Sequence, residues 1–356
     1  MGNLKIVILG LSITSSWGNG HATTYRGLVR ELTARGHKVL FLERDTPWYA
    51  EARDLPRPPY GRTCLYESID ELKKKFAKDV HEADVVVVGS YVPDGVRIGE
   101  WVVQTARGVT AFYDIDTPVT LSMLEKGESS YLSPALIQRY HLYLSFTGGP
   151  VLDRLERDYE LPMARPLYCS VDPAQYFPEK RVQRWDLGYM GTYSSDRQAP
   201  LEKLMIEPAR RWPDGRMIIA GAQYPEAIEW PFNIERIEHL PPCRHRRFYN
   251  EQRFTLNITR ALMVQAGYSP SIRLFEAAAC ARPIVSDAWE GLEQFFTPGE
   301  EILVADSANE MLRYLQESSD SEVEAMGKRA RARVLAEHTA AHRAAELESY
   351  LAELLA

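Results

Sequence analysis

The stretch Ala266-Gly-Tyr-Ser-Pro-Ser-Ile-Arg-Leu-Phe-Glu-Ala-Ala-Ala-Cys-Ala-Arg-Pro-Ile-Val-Ser286 predicts a helix followed by a short strand. Ser269 is a favoured N-cap residue, and Pro270 would occupy the first helical position, where its missing N–H costs nothing. The amides from Ser271 onward would then lack partners within the helix and carry the positive end of its dipole. Such a helix start favours an anion, typically a phosphate.

Glu276 lies inside the apolar part of this predicted helix, between Phe275 and Ala277. A buried carboxylate is costly unless something donates hydrogen bonds to it. The hydroxyl groups of a ligand could be those donors. A backbone amide or a nearby arginine would satisfy the carboxylate equally well, so both interpretations stay open at this point.

Length and composition limit the classes of protein. With 356 residues, 45% hydrophobic and 26% charged, the chain is expected to form a soluble globular protein of two domains. A net charge of −7 and a pI near 5.7 argue against a broad nucleic-acid-binding surface, because such surfaces cluster Lys and Arg. We therefore expect no nucleic-acid partner.

The cysteines and the hydropathy indicate where the protein works. The four cysteines are far apart and show no spacing typical of a metal site: Cys64, Cys169, Cys243 and Cys280. They are predicted to be reduced thiols in a cytoplasmic protein, with no metal site. No run is long and apolar enough to span a bilayer, so no transmembrane segment is expected.

The first half alternates short apolar runs with helix-length segments. Strands are predicted at 5–9, 39–42, 85–88, 109–113 and 143–146, with helices at 23–34, 95–106 and 150–159. Strictly alternating strands and helices predict a parallel sheet covered on both faces. The same pattern returns in the second half, with strands at 187–190, 217–220, 234–237, 254–258, 284–285 and 302–304.

These patterns predict an α/β protein with two Rossmann-like domains facing each other across a cleft. The proline-rich segment 161–178 suggests a boundary at its end, giving an N-terminal domain at 1–178 and a C-terminal domain at 179–335. The remaining residues, 336–356, are rich in Ala, Glu and Leu and predict a helix packed on the body.

The loop after the first strand contains Gly18-Asn-Gly20-His21. With Glu43 at the end of the second strand, it could form a dinucleotide site of an NAD-dependent oxidoreductase. The match is poor, because Thr23 stands at the third glycine position and Gly18 comes well after the strand. The glycines could instead hold a phosphate, with His21 donating to it or lying in solvent.

Two carboxylates, Asp114 and Asp116, end the fourth predicted strand. Ligands of such sheets bind at the carboxyl ends of the strands. The pair could accept hydrogen bonds from sugar hydroxyls, act as a base, or hold a cation. In the alternative interpretation, Asp116 caps the turn before Thr117.

Taken together, these motifs resemble a known family. The chain is similar to two-domain glycosyltransferases of the GT-B fold, group-1 (family-4-like) class, and more narrowly to the CgeB spore-maturation type. The motifs that carry the resemblance lie at 269–280, 283–287, 289–292 and 298–304, with 18–35 and 171–173 in the first half. The resemblance implies an enzyme that transfers a hexosyl group from a nucleotide sugar to a hydroxyl, without a metal or other cofactor.

The resemblance also implies residue roles. In that class the nucleotide lies on the C-terminal domain, and Glu276 matches the acid that binds the ribose. The matches for the remaining donor contacts are Ser271, Ile272 and Arg197 for the diphosphate, Leu240 and Pro241 for the base, and Gly18, Gly20 and His21 for the phosphates and the transferred sugar. UDP is the default donor nucleotide. The acceptor is open: a glycan, a protein or a small molecule.

Two positions depart from the family pattern. Retaining members carry a Glu eight positions before the ribose Glu, where this chain has Tyr268, whose phenol cannot supply a carboxylate. Thr192 replaces a second basic residue, for which Arg260 and Arg273 are candidate substitutes. We predict catalytic roles for His21, Asp114 and Tyr268, and donor binding by Arg273. The change at position 268 also leaves a catalytically inactive nucleotide-sugar-binding protein as an alternative.

Overall fold

The computed structural model describes residues 2–17 and 20–355, which form two compact units. The first unit contains Met1–Ser170 and Ala340–Ala356, and the second contains Val171–Thr339. The division falls earlier than the boundary expected at residue 178. Residues between 171 and 178 bond to the second unit: the Val171 amide donates to the His338 carbonyl (3.1 Å), and Asn250 donates to the Phe177 carbonyl (3.1 Å).

Seven strands form the sheet of the first unit: β1 (Lys5–Gly10), β2 (Lys38–Arg44), β3 (Arg62–Tyr66), β4 (Val85–Gly89), β5 (Val109–Asp114), β6 (Leu142–Ser145) and β7 (Ala164–Pro166). All neighbours are parallel, in the order β3-β2-β1-β4-β5-β6-β7. The order reverses between β1 and β4, which makes this pair the switch point. The connecting helices are α1 (His21–Ala34), α2 (Pro47–Ala50), α3 (Ile69–His81), α4 (Gly95–Thr105), α5 (Thr117–Glu125), α6 (Pro134–Ile137) and α7 (Pro150–Asp158).

Six strands form the sheet of the second unit: β8 (Trp185–Met190), β9 (Met217–Ala220), β10 (Ile234–Ile237), β11 (Gln252–Asn257), β12 (Ile284–Ser286) and β13 (Leu303–Val304). They too are all parallel, in the order β10-β9-β8-β11-β12-β13, with the switch point between β8 and β11. The helices are α8 (Ser195–Leu201), α9 (Glu207–Arg211), α10 (Pro242–Asn250), α11 (Ala261–Ala266), α12 (Ile272–Ala279), α13 (Ala308–Glu317) and α14 (Asp320–Glu337). The predicted α/β class with two Rossmann-like domains is confirmed.

The helix on which the sequence analysis centred is α12, and it begins later than expected. Its N-cap is Ser271, with extended backbone (φ −86°, ψ 148°), whereas Ser269 was predicted to cap it. Pro270 therefore precedes the helix and does not occupy its first position. Two serines flank this proline, and either is an acceptable cap residue, so the sequence alone favoured the wrong one.

The C-terminal tail forms two helices, α14 and α15 (Ala340–Leu355). A capping box starts α14, in which the Ser319 side chain accepts from the Glu322 amide and the Glu322 side chain accepts from the Ser319 amide. The break falls at His338 and Thr339, close to the predicted helix start at 336. After the break, α15 returns to the first unit, where the Glu348 carboxylate accepts from Arg35 at 3.0 Å.

Candidate active site

The candidate donor site lies at the switch point of the second unit. The carboxyl ends of β8 and β11 lie side by side there, and α12 begins next to them. Open parallel sheets bind ligands in this position, because loops from the two strands diverge and leave a crevice. Asn257, the last residue of β11, is fully buried and organises the region. Its side-chain oxygen accepts from Ser271 Oγ (2.8 Å) and Arg273 Nη1 (2.7 Å), and its nitrogen donates to Ser286 Oγ (2.9 Å).

Arg273 places a buried positive charge at this switch point. The residue is 7% exposed, its Nε donates to the Met190 carbonyl (2.6 Å), and its guanidinium stacks over the Tyr189 ring at 4.8 Å. All of these partners, with Asn257, are neutral. No carboxylate in the described part of the chain lies within ion-pair distance of Arg273. The charge of Asp287 is near enough to interact with Arg273 but forms no ion pair with it. A buried cation without a directly paired counter-charge is costly, so this site is suited to an anion.

The N-terminus of α12 lies beside this cation and is uncapped. The Ser271 hydroxyl donates to Asn257 and does not cap the first turn. Within 2–17 and 20–355, no side chain accepts from the amides of Ile272 and Arg273, which have no acceptor inside the helix either. These amides and the helix dipole reinforce the attraction for an anion.

Arg197 reaches the same segment from α8. Its Nη2 donates to the Thr192 carbonyl (2.6 Å), while Arg273 binds the Met190 carbonyl, so the two guanidinium groups flank Gly191. A Cβ at Gly191 would lie 3.1 Å from Arg273 Nη2 and 2.6 Å from the Tyr189 hydroxyl, so this position suits glycine. The structure thus brings together Arg197, Arg273 and the start of α12, all of which were predicted donor contacts.

Arg260, the other candidate for the second basic residue, has a structural partner. Its Nε lies 3.9 Å from the Asp196 carboxylate, which also accepts from the Ala261 amide at 2.9 Å. Asp196 therefore ties the loop after β11 to α8. Arg273, which forms no ion pair with any described residue, fits the role of second cation better than Arg260 does.

Glu276 is 3% exposed, and side chains of the protein donate hydrogen bonds to its carboxylate. The Tyr249 hydroxyl donates to it at 2.8 Å. The Tyr176 hydroxyl lies close by, and burial together with the negative charge of Glu276 raises the pKa of Tyr176 well above its usual value. Sequence reasoning considered an amide or an arginine as partner and missed both phenols. The burial of Glu276 therefore does not require a ligand, and its role toward a ribose stays a prediction.

Side chains of α10 link the predicted base-binding turn to Glu276 by hydrogen bonds. His245 Nε2 lies 3.0 Å from the Leu240 carbonyl, and His245 Nδ1 lies 3.4 Å from the Tyr176 hydroxyl. Pro241 is the N-cap of α10. Sequence reasoning missed His245, although its spacing of four residues from Tyr249 places both side chains on one face of this helix.

In the first unit, His21 is the first residue of α1, and no side chain of a described residue caps this helix. The ring contacts Tyr91 edge-on, with centroids 5.5 Å apart, and burial lowers the pKa of His21 to about 4. Its Nδ1 is buried without a hydrogen-bond partner among the described residues. Gly20 is the N-cap residue of α1. Gly18, predicted to contact the phosphates, lies outside the described residues.

Asp114 is fully enclosed by protein donors. Its carboxylate accepts from the Tyr143 hydroxyl, from the Thr120 hydroxyl (2.8 Å) and from the Asp116 amide (3.2 Å). Burial raises its pKa to about 6. Asp116 is only partly buried, accepts from the Tyr91 hydroxyl at 3.2 Å, and does not cap α5 with its side chain. Of the pair, Asp116 is therefore the one that solvent can reach.

The dinucleotide interpretation fails at Glu43. This carboxylate has no solvent exposure and accepts from the Ile13 amide (2.7 Å), the Thr14 amide (3.0 Å), the Thr14 hydroxyl (2.6 Å) and the Ser12 hydroxyl (3.1 Å). All of its acceptor capacity serves to fix the loop after β1. It is not available to a ribose, and the prediction that it could bind one is wrong.

Solved structures of several glycosyltransferases superpose on the chain. One is sucrose-phosphate synthase from Thermosynechococcus elongatus, with a TM-score of 0.71, 14% identity, and 99% of each chain covered. HepE from Anabaena, solved with UDP-glucose, has a TM-score of 0.69, 11% identity, and 99% and 100% coverage of this chain and of HepE. An alpha-glucosyltransferase solved with UDP-glucose and DNA containing an abasic site has a TM-score of 0.74, 11% identity, and 99% and 100% coverage.

The chain has the GT-B glycosyltransferase fold. Residues 197–349 also match the family model described as "Glycosyl transferase-like". This match covers most of the second unit, including α12 and its buried arginine. The family model therefore matches the part of the chain that carries the candidate donor site. No curated protein is similar enough to the chain to count as a relative.

Two further observations concern metals and membranes. Within residues 2–17 and 20–355, no three His, Cys, Asp or Glu side chains are grouped so that they could hold a metal ion. Among the same residues, no helix combines the length and the apolar character needed to cross a membrane. The four cysteines are free thiols.

Proposed function

We propose that the protein is a glycosyltransferase that moves a sugar from a nucleoside diphosphate to an acceptor hydroxyl without a metal. The observation that carries this proposal is the anion site on the second unit. There a buried guanidinium, Arg273, forms no ion pair with a carboxylate of residues 2–17 or 20–355 and lies beside the uncapped start of α12. It occupies the switch point of a sheet in a GT-B fold. A diphosphate would supply a counter-charge in direct contact with Arg273.

The same groups would assist the reaction. When the bond between the sugar and the diphosphate breaks, negative charge develops on the leaving phosphate oxygen. The amides of Ile272 and Arg273 and the guanidinium groups of Arg273 and Arg197 would stabilise that charge. Because all are fixed by other contacts, they need little reorganisation as the charge develops. This arrangement can replace the divalent cation that other transferases use to hold the diphosphate.

The nucleotide would extend from the diphosphate toward α10. A carboxylate accepts about four hydrogen bonds, and the two phenols Tyr249 and Tyr176 occupy only part of this capacity. In this proposal the remaining acceptor sites of Glu276 bind the ribose hydroxyls. The main chain of Leu240 and Pro241 would contact the base. UDP is the proposed nucleotide, because the structures of HepE and of the alpha-glucosyltransferase that resemble this chain contain UDP-glucose.

The first unit would bind the acceptor. His21 has a neutral imidazole, and its Nδ1 has no partner among the described residues, so it is the group we propose to contact the transferred sugar or the acceptor hydroxyl. Asp114 would act only by holding neighbouring side chains, because protein donors enclose it. A glycan, a protein or a small molecule is the proposed acceptor, since a net charge of −7 does not suit nucleic acid. We place the enzyme in the cytoplasm and in the CgeB-type subgroup, without a cofactor.

Calorimetric titration of the full chain with UDP, GDP, ADP and dTDP, in the presence of EDTA, tests the proposal. UDP should bind, and Arg197→Gln should weaken its affinity about tenfold, the effect of losing one hydrogen bond to a charged group. Arg313→Gln changes an exposed arginine on α13 and serves as the matched control. If none of the four nucleotides binds, or if both variants bind like wild type, the proposal is wrong.

The alternative of an inactive nucleotide-sugar-binding protein rests on Tyr268, which replaces a carboxylate. It predicts that UDP-glucose binds but is never cleaved. Release of glucose from UDP-glucose, measured over hours with wild type and with Arg197→Gln, separates the two functions. Slow hydrolysis that the substitution abolishes identifies a transferase active site, whereas binding with no hydrolysis at all favours the inactive protein.

A further inference from the structure

Two loops beside the candidate donor site are interlocked. The loop before α12 carries Gly267 and Tyr268, and the loop after β12 carries Glu290 and Gly291. The Tyr268 amide donates to the Glu290 carbonyl (2.6 Å), and the Tyr268 hydroxyl donates to Glu290 Oε1 (3.3 Å). A Cβ at Gly291 would overlap with the Tyr268 ring, and one at Gly267 would lie 3.0 Å from the Glu290 carbonyl oxygen.

This contact includes one unfavourable backbone conformation, at Tyr268, between glycines that adopt positive φ without strain. Gly267, Tyr268 and Gly291 all have positive φ angles, of 67°, 47° and 85°. For tyrosine, the left-handed region costs about 1 kcal/mol or more, and such strain concentrates at functional sites. The Tyr268 ring packs against Gly291, but Tyr268 is only half buried and the Glu290 side chain is exposed. The loops hold a phenol and a carboxylate together where both can reach solvent.

We propose that Tyr268 and Glu290 together bind the hydroxyl groups of the transferred sugar. This inference rests on the proposed function, because it places the sugar next to the diphosphate at the start of α12. Tyr268 precedes the first helical residue, Ile272, by four positions, and Glu290 follows β12 at the same edge of the sheet. In this inference Glu290, 22 residues after Tyr268, supplies the carboxylate that a tyrosine at position 268 lacks.

The chemistry of the pair suits a sugar. A carboxylate accepts hydrogen bonds from two neighbouring hydroxyls, and a phenol can donate to a third oxygen or accept from it. The Glu290 charge raises the pKa of Tyr268, so the phenol stays protonated and can donate. Positioning by two interlocked loops reduces the side-chain entropy that binding would otherwise cost.

Titration with two probes, UDP and UDP-glucose, tests the inference in the full chain. Glu290→Gln should weaken the affinity for UDP-glucose about tenfold or more, the effect of one charge-assisted hydrogen bond, and leave the affinity for UDP unchanged. Tyr268→Phe should weaken UDP-glucose binding severalfold, again without affecting UDP. Glu293→Gln is the matched control, an exposed Glu near the same tyrosine, and should affect neither probe.

The two probes separate this inference from the proposed function. If Glu290→Gln binds UDP-glucose like wild type, or loses UDP and UDP-glucose equally, the pair does not bind the sugar, although UDP binding still supports a transferase. If wild type binds neither UDP-glucose nor any of UDP, GDP, ADP and dTDP, both the inference and its basis are wrong.

Discussion

At the scale of single residues, Arg273 indicates an anion site because it is buried and no described carboxylate forms an ion pair with it. In the sequence it is one of 42 basic residues and equally suited to a surface ion pair. In the fold it is buried, bound to neutral oxygens, and next to free helix amides. Exposed arginines can do without a partner because water screens them, but a buried one cannot. Its environment depends on three separate strand and helix ends, which no local pattern encodes.

Glu276 provides a prediction about stability. Tyr249→Phe removes the donor at 2.8 Å and leaves a buried carboxylate short of a partner. The free energy of unfolding should fall by about 1–3 kcal/mol, measured by urea denaturation. Tyr140→Phe is the control, because the Tyr140 hydroxyl is buried without a hydrogen-bond partner among the described residues, and its removal should not destabilise the protein. Equal effects of the two substitutions would show that Tyr249 does not support Glu276.

Asp114 provides a prediction about pH. Its pKa is raised from 3.8 to about 6, so the folded state binds more protons than the unfolded state between these values. The stabilisation is complete below pH 4 and is lost as the pH rises through 6. From 1.4 kcal/mol per pKa unit, the free energy of unfolding of wild type should fall by about 2 kcal/mol more than that of Asp114→Asn between pH 4 and pH 7, measured by urea denaturation. A difference between the two proteins that stays constant with pH would contradict the burial argument.

At the scale of elements, continuous apolar runs were sufficient to predict most strands. Val85–Gly89 is buried at every residue, and its four valines could be interpreted only as a central strand. Two strands, β3 and β7, were not predicted; they lie at the two edges of the first sheet and are mostly half-buried or exposed. Edge strands bury little surface and therefore carry a weaker apolar pattern. Their existence is decided by pairing with a neighbour rather than by their own composition.

The terminal helix α15 provides a prediction at this scale, since its apolar face packs in the first unit. Leu347 is 1% exposed, and Leu347→Ala should lower the free energy of unfolding by about 2–5 kcal/mol through lost burial and a cavity. Leu355, in the same helix, is 48% exposed, and Leu355→Ala should change stability by less than about 0.5 kcal/mol. Thermal or urea denaturation of the two variants compares them directly. Similar stability of both would mean that α15 does not contribute to this core.

At the scale of the whole molecule, the sequence predicted two α/β halves and a helix start suited to phosphate, because these depend on local periodicity. It did not predict that the last helix belongs to the first unit, since about 300 residues separate α15 from α1. The contact between Tyr268 and Glu290 was missed for the same reason. Contacts between distant segments decide which polar residues are satisfied, and so they decide which remain available to a ligand.

The central claim is that the free amides at the start of α12 bind a diphosphate. Ile272→Pro removes one of these amides at a position where proline fits a helix, and Ser271 already has the extended backbone that a following proline requires. Ile272→Ala, which keeps the amide, controls for the lost side chain. Calorimetry should show UDP affinity reduced about tenfold or more in Ile272→Pro and nearly unchanged in Ile272→Ala, with both variants folded by circular dichroism. Equal UDP affinity of the two variants would contradict the claim.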